Sequence, residues 1–120
     1  MPEVTFTKEN FLEKTKIDAG WYKLTVKEIT EKPGTKDPTS TTYPTHFTVK
    51  EGKFAGVPCR KYFTEKMMGD FLEFLQCFSA QPLTPGQKVD YELSTGKDVQ
   101  GYCVYNTDMN WNDVTAFRRA

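Results

Sequence analysis

The sequence predicts a mainly β fold, a five-stranded OB-fold-like barrel that forms one domain over residues 1–120. Two observations favour this fold. Three strand-like stretches precede the single good helix candidate and two or three follow it, which gives the order β-β-β-α-β-β. The chain is also long enough to bury a core as one domain. Barrels of this class commonly bind single-stranded nucleic acid or oligosaccharide, so the order indicates a class of function.

The first strand is predicted to begin at Gly20, because apolar and polar residues alternate from Tyr22 to Val26. Trp21 then lies on the outer face of this strand. Before it, Asn10 is predicted to cap one short helical turn. A long flexible loop is expected from Glu31 to Thr42, where Lys, Thr, Ser, Asp and Gly accompany two prolines. A loop of this length usually has a function.

Two more strands are predicted before the helix, from about Tyr43 to Lys50 and from about Val57 to Phe63. Lys61 interrupts the inward apolar positions of the third strand. The predicted outward positions are His46, Thr48 and Lys50 on the second strand, and Pro58, Arg60 and Tyr62 on the third.

The helix candidate follows Thr64, whose hydroxyl is expected to cap the first turn. Apolar residues then recur at i, i+3, i+4 and i+7, so one stripe of the helix should face the sheet. This stripe consists of Met68, Phe71, Leu72 and Leu75.

Three strands are predicted after the helix. Alternation from Val89 to Leu93 indicates the fourth strand, and alternation from Val99 to Tyr105 indicates the fifth. Gly101 would let the fifth strand bend sharply, as a small barrel requires. A short extra C-terminal strand is predicted around Val114 and Phe117.

Composition indicates a cytoplasmic protein with reduced thiols. The three cysteines, Cys59, Cys77 and Cys103, are an odd number, have no C-x-x-C spacing and follow no signal peptide. No apolar run approaches the roughly 20 residues that cross a bilayer, so no membrane partner is expected. Sixteen basic and sixteen acidic side chains cancel, so binding to nucleic acid would require segregated charge.

The sequence lacks the residue sets that catalysis or metal binding usually needs. His46 is the only histidine, and no cysteine lies near it at metal-ligand spacing. Neither a P-loop nor a G-x-G-x-x-G motif occurs, and the acidic residues are scattered. The sequence therefore favours binding without catalysis, and no metal or cofactor is predicted.

The outer faces of the predicted strands combine rings with cations. Nine Phe, six Tyr and two Trp are more than a small core buries easily, so some rings should lie on the surface. Single strands bind by stacking bases on such rings within a positive groove. The predicted patch consists of Trp21, Lys23, Lys27, His46, Lys50, Arg60 and Tyr62, framed by Lys36 in the long loop and by Trp111 in the tip from Asn106 to Asn112.

Several local elements occur in a familiar order from Gly20 to Arg119. They are a G-x-Y strand start, a Lys/Thr/Ser-rich loop, Glu51-Gly52, Gly56-Val57, a helix, Gly96-Lys97 and a last strand from Asn112 to Phe117. With these elements the sequence resembles small phage-encoded OB-fold proteins of the single-stranded DNA-binding type. The resemblance implies a role in DNA replication, recombination or repair in an infected cell. Several such proteins recruit partners through an acidic tail, which is not expected here because the sequence ends in Arg118-Arg119-Ala120.

Two functions of different classes stay open. The first is binding of single-stranded DNA, with phage or host replication and recombination proteins as further partners. The second is an interaction protein on the same fold, a phage accessory factor or host-defence inhibitor that binds a protein or a small nucleotide. The neutral charge favours the second, and the ring-and-cation face favours the first. Oligosaccharide binding needs no lysines around its rings and ranks third. The sequence leaves open homo-oligomer formation and the choice between DNA and RNA.

Overall fold

The computed structural model describes all 120 residues, and its strands form a closed barrel with one short strand outside the ring. Two helices and two 3-10 turns, Glu65–Met67 and Tyr91–Ser94, complete the fold. The elements are α1 (Lys8–Glu13), β1 (Gly20–Ile29), β2 (Lys32–Pro33), β3 (Thr41–Val49), β4 (Pro58–Thr64), α2 (Met68–Gln76), β5 (Asp98–Asn106) and β6 (Trp111–Arg119).

The ring closes in the order β1-β5-β6-β4-β3, and β3 pairs again with β1. All neighbours are antiparallel except β4 and β6, which run parallel and pair at Arg60 and Asp113. β2 pairs only with β3, outside the ring. When only the ring strands are counted in chain order, α2 lies between the third strand, β4, and the fourth strand, β5. The predicted OB-fold-like barrel with the order β-β-β-α-β-β is therefore confirmed.

The barrel interior is filled by the inward residues of all five ring strands and by α2. Phe74 of α2 is fully buried, and its ring centroid lies 4.9 Å from that of Phe117 and 5.4 Å from that of Phe63. Truncating such a buried ring to alanine costs about 3–5 kcal/mol. The other large fully buried side chains are Leu24, Val26, Thr45, Phe47, Val49, Val57, Cys59, Phe63, Val99, Cys103 and Val114.

Gly101 is required by close packing inside the barrel. A Cβ atom at this position would lie 2.6 Å from Val114 Cγ1 and 2.7 Å from Leu24 Cδ1. The β5–β6 register also shifts between Tyr102 and Cys103. The sequence predicts a sharp bend at Gly101, whereas the structure shows that the position has no room for a side chain.

α2 begins later and buries a different face than the sequence predicts. Glu65–Met67 form a 3-10 turn before α2 begins at Met68, and the Thr64 side chain makes no cap bond to it. Phe71 and Phe74 are buried, whereas Met68 and Leu72 are 44% and 52% exposed. The predicted stripe is wrong at these two positions because the aromatic core receives Phe74.

The C-terminal end of α2 is capped from the last strand. The Arg119 guanidinium donates hydrogen bonds to the carbonyl oxygens of Gln76 at 3.0 Å and Ser79 at 2.6 Å. These contacts satisfy orphan carbonyls and place a cation at the negative end of the helix. No helix in the structure has both the length and the apolar character needed to cross a membrane.

The prediction of a strand from Val89 to Leu93 is wrong. The segment forms a 3-10 turn, in which the Asp90 carboxylate accepts the Glu92 N–H at 3.1 Å. Leu93 is 67% exposed, while Tyr91 packs its ring on Tyr43. Side-chain capping of this kind competes with strand pairing.

The C-terminal strand is a full barrel strand rather than a short extra one. β6 spans nine residues and pairs with β5 along its whole length. Val114 and Phe117 both point inward although they are three residues apart, because the register shift lies between them. This break in the period of two explains why the sequence pattern underestimates the strand.

The N-terminal segment is tied to the barrel through a buried amide. Asn112 Oδ1 accepts the Ile17 N–H at 3.0 Å, and Asn112 Nδ2 donates to the Thr15 carbonyl at 2.8 Å. Earlier in the chain, α1 starts at a capping box in which Thr7 is the N-cap and Asn10 its partner at the third helical position. Asn10 therefore takes part in the cap, but it is not the N-cap residue as predicted.

The segment from Glu31 to Thr42 is a folded hairpin arm, where the sequence predicts a flexible loop. β2 pairs with the start of β3, and the Gly34 N–H donates to the Ser40 carbonyl at 3.1 Å. At its tip, the Asp37 carboxylate accepts two hydrogen bonds from Thr39, which lower the pKa of Asp37. Local side-chain bonds thus order a polar segment that has no apolar core.

Candidate nucleic-acid interface

The outward residues of β3, β4 and β6 converge on one side of the barrel. His46 of β3 pairs in register with Arg60 of β4, and Arg60 pairs in turn with Asp113 of β6. Because side chains alternate between the faces of a strand, Tyr62 lies on the same outer face as Arg60. Trp111, at the start of β6, completes this group. We call His46, Arg60, Tyr62 and Trp111, together with Lys32 of the arm, the Tyr62 cluster.

The rings of the Tyr62 cluster are in contact with one another. The Tyr62 and Trp111 centroids are 4.9 Å apart with their planes tilted by 39°. His46 approaches Tyr62 edge-on at 6.4 Å. These three half-buried rings form a continuous aromatic surface across three strands. Aromatic pairs at such separations stabilise each other by about 0.5–1.5 kcal/mol beyond burial.

Two cations lie against these rings. Lys32 Nζ is 5.3 Å from the Tyr62 ring centroid, and Arg60 Cζ is 5.4 Å from that of Trp111. Burial lowers the pKa of His46, and the positive charges of Arg60 and Lys32 lower it further. The lowered pKa favours the neutral form of the His46 ring, so the positive charge of this cluster lies on Arg60 and Lys32.

An open cleft of about 390 Å³ lies beside Tyr62 and Trp111. The hairpin arm contributes Lys32, Pro33 and Thr35 to its lining, and the β5–β6 turn contributes Met109. The cleft is further lined by Thr42, Lys61, Tyr62, Thr64, Met67, Trp111 and Asp113. Its volume is within the range typical of small-ligand sites.

The indole N–H of Trp111 is buried and has no hydrogen-bond partner. Buried donors without a partner are rare in native proteins and cost about 1–3 kcal/mol each. The unpaired indole N–H therefore belongs to Trp111, a residue that lines the cleft.

A second group of a ring pair and a cation, the Trp21 cluster, consists of Trp21, Tyr102 and Arg118. Trp21 pairs in register with Tyr102 of β5, and their ring centroids are 5.6 Å apart. Arg118 Cζ lies 4.1 Å from the Trp21 ring centroid, and Arg118 Nε also donates to Gln100 Oε1. The β1–β3 register begins only at Leu24, so Trp21 pairs toward β5 and away from the Tyr62 cluster. The structure therefore brings Trp21 together with Tyr102 and Arg118 and gives it no contact with the Tyr62 cluster.

The predicted lysines have different surroundings. Lys50 is bonded to the Asp98 carboxylate, and this contact lowers the pKa of Asp98. Lys23 pairs with Gln100 of β5, and its charge also acts on Asp98. Lys27 is exposed beside the β1 bulge, and its charge acts on His46. Lys36 lines a polar cleft of about 330 Å³ that shares residues with the first. Of these four, Lys27 and Lys36 flank the Tyr62 cluster.

Of the eleven residues that line the cleft, sequence reasoning assigned only Tyr62 and Trp111 to a site. The residues it missed include Lys32, Lys61, Asp113 and Met109. Lys32 was part of the predicted loop, and its position depends on the β2–β3 pairing. Lys61 gave a signal, because it interrupts an apolar alternation, and the structure places it in the cleft wall. Asp113 and Met109 gave no signal in the sequence, because nothing there indicates that the tip and the last strand line one cleft.

No family model matches this chain, and a search of the curated proteins found no match to it. No three His, Cys, Asp or Glu side chains lie close enough together to hold a metal ion. The choice of a function therefore depends on the Tyr62 cluster and its cleft.

Proposed function

We propose that this protein binds single-stranded DNA with the outer face of β3, β4 and the start of β6. The observation that carries this proposal is the Tyr62 cluster, in which three rings and two cations converge between the hairpin arm and the β5–β6 turn. In OB-fold barrels, the face of the second and third strands and the two loops at its edges are the usual binding surface for single strands.

The chemistry of the cluster suits an unpaired strand. Bases stack on aromatic side chains with about 1–3 kcal/mol each, and Tyr62, Trp111 and neutral His46 offer such rings. Lys32 lies over the Tyr62 ring and Arg60 lies over the Trp111 ring. In these positions both cations are placed to contact the phosphates of stacked nucleotides. Duplex DNA keeps its bases stacked inside, so this surface favours single strands.

The biological role proposed is phage DNA replication, recombination or repair in the cytoplasm of the host cell. This part of the proposal is supported by the resemblance of residues 20–119 to phage proteins of the single-stranded DNA-binding type.

The experiment that tests the proposal is a fluorescence anisotropy titration of labelled oligo-dT at two salt concentrations. Duplex of equal length serves as the competitor. We expect micromolar or tighter binding that weakens as salt rises, because phosphate contacts release counterions. Duplex should not compete. Absence of binding at low salt would overturn the proposal.

A free mononucleotide is the second candidate ligand. The cleft of about 390 Å³ is large enough for a single nucleotide, and the net charge of zero gives no long-range attraction to a polyanion. Calorimetric titration with mononucleotides distinguishes the two, since a strand-binding surface gains affinity with each added nucleotide and a mononucleotide site does not.

A further inference from the structure

Two side chains of opposite charge line the cleft without forming an ion pair with each other. Lys61 and Asp113 are both half-buried in its wall, and the single salt bridge of the molecule joins Lys50 to Asp98 instead. No side chain donates a hydrogen bond to the Asp113 carboxylate, which accepts one from the backbone of Val114. Burial raises the pKa of Asp113, while the charge of Lys61 acts to lower it. Both groups are therefore available to a ligand.

The rings beside these groups fix how a base would present its edge. A base that stacks on Tyr62 has its hydrogen-bonding edge in the ring plane, directed at the walls of the cleft. Unpaired bases are commonly recognised through their Watson–Crick edges in this way. Lys61 and Asp113 both line the cleft, where Lys61 supplies a donor and Asp113 supplies two acceptor oxygens.

Guanine matches this pair better than the other bases do. Its Watson–Crick edge carries two adjacent donors, N1–H and the N2 amino group, next to the O6 acceptor. A carboxylate accepts both donors at once, and an ammonium donates to O6. Adenine and cytosine offer one amino donor beside an acceptor, and thymine offers one donor between two acceptors. Each of these bases would therefore place an acceptor against the carboxylate or lose one hydrogen bond.

We propose that the cleft selects guanine within single-stranded DNA, with Asp113 bound to N1–H and the N2 amino group and Lys61 bound to O6. The proposal rests on the proposed function, because it takes the stacking surface from the Tyr62 cluster. A cleft of about 390 Å³ holds one nucleotide, with Lys32 beside the ring for its phosphate.

The experiment compares four labelled twelve-nucleotide strands by anisotropy in lithium buffer, which suppresses guanine quadruplexes. The strands are oligo-dT and alternating dT-dG, dT-dI and dT-dA. A well-placed bidentate pair discriminates by about 1–3 kcal/mol, so we expect dT-dG to bind about fivefold or more tighter than oligo-dT. Inosine lacks the N2 amino group and should lose most of this preference. A strand with 7-deazaguanine should retain it, because N7 is not read.

Substitutions assign the preference to the two side chains. Asp113→Asn should remove the preference for dT-dG, measured as the ratio of the affinities for dT-dG and oligo-dT. Asp108→Asn is the matched control, since Asp108 is an exposed acid in the β5–β6 turn and does not line the cleft. Lys61→Gln should weaken the preference as well and provides a second variant should Asp113→Asn fail to fold.

The outcomes separate this inference from the function it rests on. Equal affinities for all four strands would overturn guanine selection and leave single-strand binding intact. A preference that survives in folded Asp113→Asn would overturn it too. Failure to bind any of the strands would overturn the proposed function itself.

Discussion

The Tyr62 cluster and the Trp21 cluster contain the same kinds of residue in different settings. Each contains an aromatic pair and an arginine over an indole ring, at 5.4 Å for Arg60 and Trp111 and at 4.1 Å for Arg118 and Trp21. The first adjoins a cleft between the hairpin arm and the β5–β6 turn. In the second, Arg118 covers the indole and bonds to Gln100 of the neighbouring strand.

Two clusters of the same composition can therefore differ in role, one as a binding surface and one as a structural stack. A cation held over a ring satisfies both groups within the protein, and the pair then serves stability. Rings that border a cleft, with cations reaching over it from a separate element such as the arm, remain available to a ligand. We therefore expect the two clusters to respond differently to the same substitutions.

The largest difference is expected for ring removal. Tyr62→Ala should weaken oligo-dT binding by about 5- to 150-fold, because one stacking platform of about 1–3 kcal/mol is lost. Trp21→Ala should leave binding within about twofold and instead lower the free energy of unfolding by about 0.5–1.5 kcal/mol, since it breaks the pair with Tyr102. Anisotropy titration and chemical denaturation measure the two quantities.

Denaturation of both variants is also the control for this pair. A Tyr62→Ala protein that folds and still binds with native affinity would contradict the role assigned to the Tyr62 cluster. A folded Trp21→Ala protein that does not bind would contradict the role assigned to the Trp21 cluster.

A smaller difference is expected for the arginines. Arg60→Gln should weaken binding several-fold and reduce the slope of log affinity against log salt by about 0.7, the value for one phosphate contact on a single strand. Arg118→Gln should leave the slope unchanged, because its guanidinium is engaged by Trp21 and Gln100. Titrations at four salt concentrations give both slopes. Equal slopes in the two variants would refute this distinction.

The smallest effect is expected in the titration of His46. Its pKa in the folded protein is lowered, by burial first and by Arg60 next, whereas the unfolded chain titrates near 6.5. The unfolded state therefore binds more protons than the folded state between the two pKa values. The contribution of neutral His46 to the free energy of unfolding is present above about pH 6.5, and it is lost as the pH falls through the lowered folded pKa. NMR titration should find that Arg60→Gln raises the His46 pKa part of the way and that Arg118→Gln does not change it. An unchanged His46 pKa in Arg60→Gln would place Arg60 away from this ring.

The fold was predictable from the sequence because alternation is strong in the early strands. Leu24, Val26, Phe47 and Val49 keep a period of two and are all buried. The fourth strand was assigned wrongly because alternation between Val89 and Leu93 cannot reveal that Asp90 caps a 3-10 turn. The last strand was underestimated because its register shift disrupts the same period.

The candidate site was only partly predictable, because its members come from distant parts of the chain. Arg60, Tyr62 and His46 follow from outward positions on neighbouring strands. Lys32 reaches Tyr62 only because the arm folds back as β2, and Asp113 meets the site through a single parallel pairing. Long-range pairings of this kind leave no local pattern in the sequence.

The two tryptophans allow the most direct test, since one belongs to each cluster and there are no others. Trp21→Phe leaves Trp111 as the single reporter, and Trp111→Phe leaves Trp21. Both variants are titrated with oligo-dT while intrinsic fluorescence is followed. We predict that the Trp111 emission changes on binding and that the Trp21 emission stays constant. A change in the Trp21 emission alone would place the strand on the other cluster and contradict the binding surface assigned to β3, β4 and β6.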